Sequence, residues 1–333
     1  MDGGMTAVDA RLSPLFEDRD FGVVLTAPRP RLALDRWLAE EGATVEALAE
    51  RYPAVLLRGF AVPDEAAFAA ARTHLVPAPA DYVYRSTPRH SVGEGIMTAT
   101  EYPAGEEIPL HCENAYQRRW PLRLVFCCLL PAETGGQTPI ADMAAVTARL
   151  GAPTLEAVAA RGICYLRTYR PGFDLDWQTV FQTDDPATVE AFCLANDIDC
   201  EWQSDGVLRT GQTCQAAATH PRTGARLWFN QAHLFHASAL GEETMQDMLD
   251  IFGPDGLPRD ARYGDGSPIE PDLLARVRAA HVAEARQFDW QAGDVLIVDN
   301  MRVAHGRRPF TGSRRVLVSM GLMSDAAVAE SPR

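Results

Sequence analysis

The stretch Ile108-Pro-Leu-His111-Cys-Glu113 decides how the rest of the chain is read. As a β-strand it sets an imidazole and a carboxylate at positions i and i+2, which share one strand face. Cys112 between them points to the other face and reads as packing. A second histidine, His305, stands far downstream in another strand-like run, Asp294-Val-Leu-Ile-Val-Asp-Asn-Met-Arg-Val-Ala-His305-Gly-Arg. Two histidines and one carboxylate, with coordination positions left open, make the facial triad of non-haem Fe(II) oxygenases. A His-x-Glu pair alone arises easily by chance. Its weight comes from three elements downstream of it: Thr138 in Gly135-Gly-Gln-Thr-Pro139, His305, and the Arg314-Arg315 pair.

The 333 residues can bury a sizeable core, and the chain reads as one elaborated β domain. Its 47% hydrophobic and 23% charged residues are those of a soluble globular protein. The seven cysteines are odd in number, include no C-x-x-C and lie mostly in apolar segments, so they read as reduced core thiols. No apolar run approaches the roughly 18 residues of a membrane span, and the N-terminus lacks signal-peptide character, so the expected compartment is the cytoplasm.

All 31 basic residues are arginine. The absence of lysine excludes a pyridoxal phosphate Schiff base, a Walker A phosphate site and any lysine general base. A formal charge of −14 argues against nucleic-acid and anionic-membrane partners. Yet from Arg302 to Arg315 there are five arginines and no acid, a local reversal suited to an anionic small molecule.

Along the chain, residues 31–52 have helical spacing with an interruption expected at Gly42, residues 54–60 form a short buried strand, and Pro63-Asp-Glu begins a second helix. Leu122 to Leu130 is a near-continuous apolar run, as for a strand buried on both faces. Residues 144–162 and 186–196 read as helices, and 163–181, 206–231 and 285–320 as strands. The strands cluster around the candidate ligands and do not alternate with helices. The expected fold is therefore mostly β with decorating helices (α+β), on a double-stranded β-helix, that is a jelly-roll or cupin-like core. Residues 1–30 read as an N-terminal extension, 31–325 as the domain with a helical or loop insertion at about 140–290, and 326–333 as a flexible tail.

A cosubstrate such as 2-oxoglutarate chelates iron at one end and needs a fixed cation with a hydroxyl at its distal carboxylate. Arginine's planar fork suits that carboxylate and cannot lose its charge. Arg314 and Arg315 point to opposite strand faces, so at most one of them enters the pocket with Thr138.

These elements resemble the TauD/TfdA (taurine dioxygenase) family of Fe(II)/2-oxoglutarate-dependent oxygenases, and its SyrP-like branch. The resemblance covers about residues 50–320 through Leu57-Arg-Gly-Phe60, Ser86-Thr-Pro-Arg89, His111-Cys-Glu-Asn-Ala-Tyr116, Gly135-Gly-Gln-Thr138, Phe229-Asn-Gln231, Asp299-Asn, and His305-Gly-Arg-Arg-Pro-Phe-Thr-Gly-Ser-Arg-Arg315. It implies His111, Glu113 and His305 as the ligands of Fe(II), with Thr138 and Arg315 on 2-oxoglutarate and Arg314 as the alternative to Arg315. Halogenating relatives lack the carboxylate ligand, so Glu113 favours hydroxylation. Asn114, Trp177, Asn230, Arg118 and Arg170 are the candidate substrate contacts, and His233 and His236 the less favoured candidate ligands.

The resemblance implies an amino-acid-derived substrate, free or on a peptidyl carrier protein, oxidised with O2 in natural-product biosynthesis with release of succinate and CO2. Desaturation or cyclisation would use the same cofactors. A homo-oligomer is compatible with all of this. A zinc hydrolase and a non-catalytic jelly-roll module binding a small acid stay open as readings from other classes, although neither explains the acid pocket at Thr138 together with the full triad.

Overall fold

The computed structural model describes residues 11–80, 83, 84, 86, 87, 89–99, 102–203 and 206–324. The run Pro121–Leu130 is the spine of the molecule. Val125 and Cys127 point to one side, and Leu124, Phe126 and Cys128 to the other, all buried. Both faces are covered, which is why the run is apolar without alternation. It pairs antiparallel with Val295–Asp299 on one side and Arg315–Met323 on the other. The whole sheet has eight strands, in the order Leu12–Phe16, Arg19–Thr26, Ala54–Arg58, Val295–Asp299, Pro121–Leu130, Arg315–Met323, Ile96–Thr98 and Ser91–Gly93.

The inner face of this sheet packs on a second sheet of four strands, Ala285–Arg286, Ile140–Asp142, Val303–Arg307 and Ile108–His111. Leu124, Phe126, Leu296 and Val298 from the first meet Ile140 and Val303 from the second in one buried cluster, the interior of the jelly roll. Helices Leu34–Arg51 and Glu65–Leu75 cover the outer face, burying Trp37, Leu38, Leu48 and Phe68 against Val125, Ile297 and Leu317. Asp64 caps the second helix by accepting from Ala67 N at 2.8 Å.

Three expectations are corrected by the fold. The helix does not break at Gly42 but runs unbroken from Leu34 to Arg51. Its apolar stripe on the sheet outweighs the roughly 1 kcal/mol that one glycine costs. The described part of the expected N-terminal extension is not outside the domain, because Arg19–Thr26 pairs parallel with Ala54–Arg58 in the main sheet. The insertion is neither helical nor loop alone. It contains a four-stranded antiparallel sheet, Asp199–Trp202, Leu208–Cys214, Ile163–Tyr169 and Arg259–Tyr263, packed with helices around Tyr165, Tyr169, Val180 and Phe181. Helices thus contribute almost as many residues as strands, and the β character belongs to the core. The expected tail at 326–333 lies outside the described residues. No helix of the described residues is long and apolar enough to cross a membrane.

Candidate metal centre and acid pocket

His111 ends its strand directly opposite His305 in the antiparallel ladder between Ile108–His111 and Val303–Arg307. Cross-strand neighbours point the same way, so register alone brings the two rings to 4.5 Å between centroids. His305 also rests on Phe126 of the large sheet, at 5.1 Å. Glu113 lies just past the strand end, in a turn where Asn114 has φ +56°. The side chain of Asn300, fully buried, fixes that turn from both directions: its Oδ1 accepts from Glu113 N at 2.7 Å, and its Nδ2 donates to Glu113 O at 2.9 Å.

The result is one convergent donor set. Glu113 Oε2 lies 3.9 Å from His111 Nε2 and 3.8 Å from His305 Nε2, and the three donors fall within 4.8 Å of one another. Among the described residues no other group of histidine, cysteine and acidic side chains converges in this way. His111 Nδ1 donates to Pro109 O at 2.9 Å, which leaves Nε2 with its lone pair facing the gap. Burial pushes the pKa of His111 down and that of His305 further down, the latter helped by His111 itself. Neutral imidazoles are the form that binds a metal. Cys112, just past the strand end, turns away from the triad toward Val303 O.

A narrow pocket opens behind the triad, lined by Arg89, Phe126, Thr138, Arg314 and Val316 together with His111 and His305. Thr138 reaches it because residues 137–140 run along the other side of the His305 strand, with Gly306 N bonded to Pro139 O and Arg308 N to Gln137 O. Arg314 is held by Nε to Gly136 O at 2.9 Å, with its NH2 3.5 Å from Thr138 Oγ1. Burial pushes its guanidinium down to about 10. Among the described residues it has no carboxylate partner to offset that burial. A half-buried cation without an anion is a seat for one. Trp290 Nε1 donates to Thr138 Oγ1 at 3.0 Å, so the threonine's own proton is left to donate elsewhere in the pocket.

Gly136 makes that packing possible. It has φ +70°, and a Cβ there would lie 2.9 Å from Ala132 Cβ and 3.1 Å from Arg314 Cδ. Gly136→Ala is expected to cost about 1–2 kcal/mol from backbone strain alone. It should also displace the guanidinium, so the affinity for a dicarboxylate ligand should fall together with the melting temperature. A variant that loses stability but binds the ligand as tightly as wild type would show that the glycine does not shape the pocket.

On the other side of the triad lies a cleft of about 830 Å³. Its lining includes His111, Glu113, Gln231, Phe235, His236, Leu240, Met248 and the ion pair of Arg259 with Asp174. His111 therefore belongs to both cavities, and the triad stands at the wall between them.

The structure brings together His111, Glu113, His305, Thr138 and Arg314, but not Arg315. Arg315 is exposed and pairs with Glu65 at the surface. The member of the pair that faces the pocket is thus Arg314, the alternative in the sequence reading, because the alternation of faces gives no absolute phase. A register shift next to Arg315 sets that phase. The expected substrate contacts do not line the cleft either. Trp177 stacks edge-on against Trp202 at 5.2 Å, Asn230 bonds Ala216 O and Ala232 N, and Arg118 pairs with Asp197. Asn114 serves the turn after Glu113, and Arg170 sits by Phe252. His233 stacks on His281 and donates to Leu110 O, a packing role. Sequence reasoning missed Gln231, whose Nε2 donates to Cys112 O at 2.6 Å, as well as Trp290, Asn300 and Arg89. Asn300 and Arg89 stand inside motifs shared with the family, yet neither carries a role that residue type alone would disclose.

A jelly roll with a two-histidine, one-carboxylate face at its mouth and a half-buried arginine behind it defines a non-haem metal oxygenase architecture. The chain belongs to the taurine catabolism dioxygenase TauD, TfdA family, whose model matches residues 14–320. It is 38% identical over 307 residues to the dapdiamide synthesis protein DdaC of Enterobacter agglomerans, covering 92% of this chain and 93% of that one. It is 29% identical over 324 residues to the clavaminate synthase-like protein At3g21360 of Arabidopsis thaliana, covering 92% and 94%. Among solved structures, PvcB of Pseudomonas aeruginosa superposes with a TM-score of 0.55 at 19% identity, covering 96% of this chain and 94% of that one. AAD-2 in complex with Mn(II) and N-oxalylglycine does so with a TM-score of 0.55 at 14% identity, covering 94% and 97%.

Proposed function

We propose that this chain is an Fe(II)/2-oxoglutarate-dependent oxygenase that hydroxylates an unactivated C–H bond of an amino-acid-derived substrate, free or carried on a peptidyl carrier protein, in a specialised biosynthetic pathway. The observation that carries the reading is the position of the triad between a narrow cationic pocket and a wide, largely apolar cleft. The donor set fits the metal, since two neutral imidazoles and a carboxylate converge and leave room for further ligands. When bound, iron with 2-oxoglutarate supplies the oxidising power of O2, with release of succinate and CO2.

The chain's own residues do the rest. His111, Glu113 and His305 hold the metal; Arg314 and the Thr138 hydroxyl receive the distal carboxylate. The cleft places the target carbon beside the metal and keeps water away from it. Membership in the same family as a dapdiamide synthesis protein, at 38% identity, supports a biosynthetic substrate. Glu106, on the rim of the cleft, suits a substrate carrying an amine, while its neighbour Glu107 is paired with Arg308.

Anaerobic titration with Fe(II) and 2-oxoglutarate tests the cofactor half: a visible charge-transfer band is expected. Its absence from iron-loaded protein, or full zinc occupancy with hydrolytic activity, would overturn the reading. Succinate formation, stimulated by free amino acids in one panel and by carrier-bound aminoacyl groups in another, tests the substrate half. Stimulation by neither would remove the amino-acid assignment and leave the cofactor assignment standing.

A further inference from the structure

We propose that Arg89 is the second cation of the cosubstrate pocket, set at its metal end, where it favours binding of the 2-oxo acid group just as Arg314 favours the distal carboxylate. This rests on the reading of the triad and pocket as a metal and 2-oxoglutarate site. Arg89 NH2 donates to Glu113 Oε2 at 2.7 Å, and each side chain is only 4% exposed. The oxygen it holds is the same one that faces both imidazoles. Arg89 also lines the narrow pocket, together with His111, His305, Thr138 and Arg314. Arg307 lines it as well, but its guanidinium is engaged by the carbonyls of Tyr102, Pro103 and Glu106. Arg89, on Glu113, and Arg314, beside Thr138, are the two set against the triad and the acid pocket.

The charges explain why a cation belongs there. Holding a divalent metal with one carboxylate does not require a guanidinium beside that carboxylate. On the contrary, the guanidinium repels the incoming metal and draws on the same oxygen. That repulsion would be offset by the negative charge of a 2-oxo acid group bound at this end of the pocket. Arg89 thus acts against the bare metal and for the metal together with a 2-oxo acid. It also restrains Glu113, whose side chain has one more rotatable bond than an aspartate. Asn300 pins the backbone end of Glu113 and Arg89 pins the carboxylate end.

The two roles separate experimentally. Mn(II), a redox-stable probe, is titrated into the full-length protein by electron paramagnetic resonance. 2-Oxoglutarate and 2-oxobutyrate, which lacks the distal carboxylate, are then titrated calorimetrically into the Mn(II)-loaded protein. For Arg89→Met the dissociation constants of both 2-oxo acids should rise by the same factor, about tenfold or more, as for loss of a charge-assisted contact. Mn(II) affinity should stay within about threefold or increase. Arg89→Lys, which keeps the charge, should restore most of the 2-oxo acid affinity, and it serves as the test variant if the methionine protein fails to fold. Unchanged 2-oxobutyrate binding in Arg89→Met, or in Arg89→Gln if only that folds, would overturn the proposal. So would a fall in Mn(II) affinity as large as the fall in 2-oxo acid affinity, because Arg89 would then serve Glu113 alone. Failure of wild type to bind Mn(II) or either acid would instead overturn the underlying reading.

Discussion

Replacing Arg314 by methionine is expected to raise the dissociation constant for 2-oxoglutarate by about 10²–10³-fold, while Arg315→Met leaves it within about twofold. Arg314 is half-buried beside Thr138 and has no carboxylate partner among the described residues. An anion binding there gains a desolvated, charge-assisted pair whose truncation typically costs about 2–5 kcal/mol. Arg315 and its partner Glu65 are 53% and 35% exposed, and such surface pairs contribute about 0–1 kcal/mol. The same experiment with 2-oxobutyrate separates pocket chemistry from general damage. That acid lacks the distal carboxylate, so wild type and Arg314→Met should bind it equally. If Arg315→Met lost 2-oxoglutarate and Arg314→Met kept it, the assignment drawn from the side-chain positions would be wrong.

The second large effect belongs to the metal. His305→Ala is expected to lower Fe(II) affinity by at least about 100-fold and to abolish the charge-transfer band, because three donors converge here and two do not hold the ion. The substitution removes a buried ring packed on Phe126 and His111, so some stability is lost as well. His233→Ala is the control. It removes a ring that is buried to a similar degree and stacked on His281, outside the donor set, so stability should fall while the band persists. Circular dichroism on both variants separates unfolding from loss of the ligand. A band of wild-type intensity in folded His305→Ala would remove His305 from the metal site.

Much of the site could be read from the chain because chemistry restricts residue type. Few side chains hold Fe(II) with open positions, so His111, Glu113 and His305 stood out as candidate ligands. The jelly roll followed from strand-like segments gathering around them. The apolar run at Leu122 to Leu130 was legible for a related reason: a strand covered on both faces has to be apolar throughout.

Other features depend on long-range placement and have no local signal. Glu113 does not lie on the strand with His111, as the i and i+2 argument required, but in the turn beyond it, where Asn300 fixes it from 187 residues away. The continuity of the first helix across Gly42 depends on the sheet beneath it. The insertion supplies the cleft's outer wall, so its Gln231, Phe235 and Arg259 face the candidate site while Trp177 and Asn230 serve the core.

What the sequence alone determined, then, was the kind of site: the ligand types, the need for an arginine and a hydroxyl, and the exclusion of lysine chemistry. Only the tertiary structure decided which arginine turned inward and which residues faced the cleft. The alternation of a strand says that Arg314 and Arg315 part company, but not which face is the interior. That phase was set by the pairing of Arg315–Met323 with Pro121–Leu130, a contact between segments far apart in the chain.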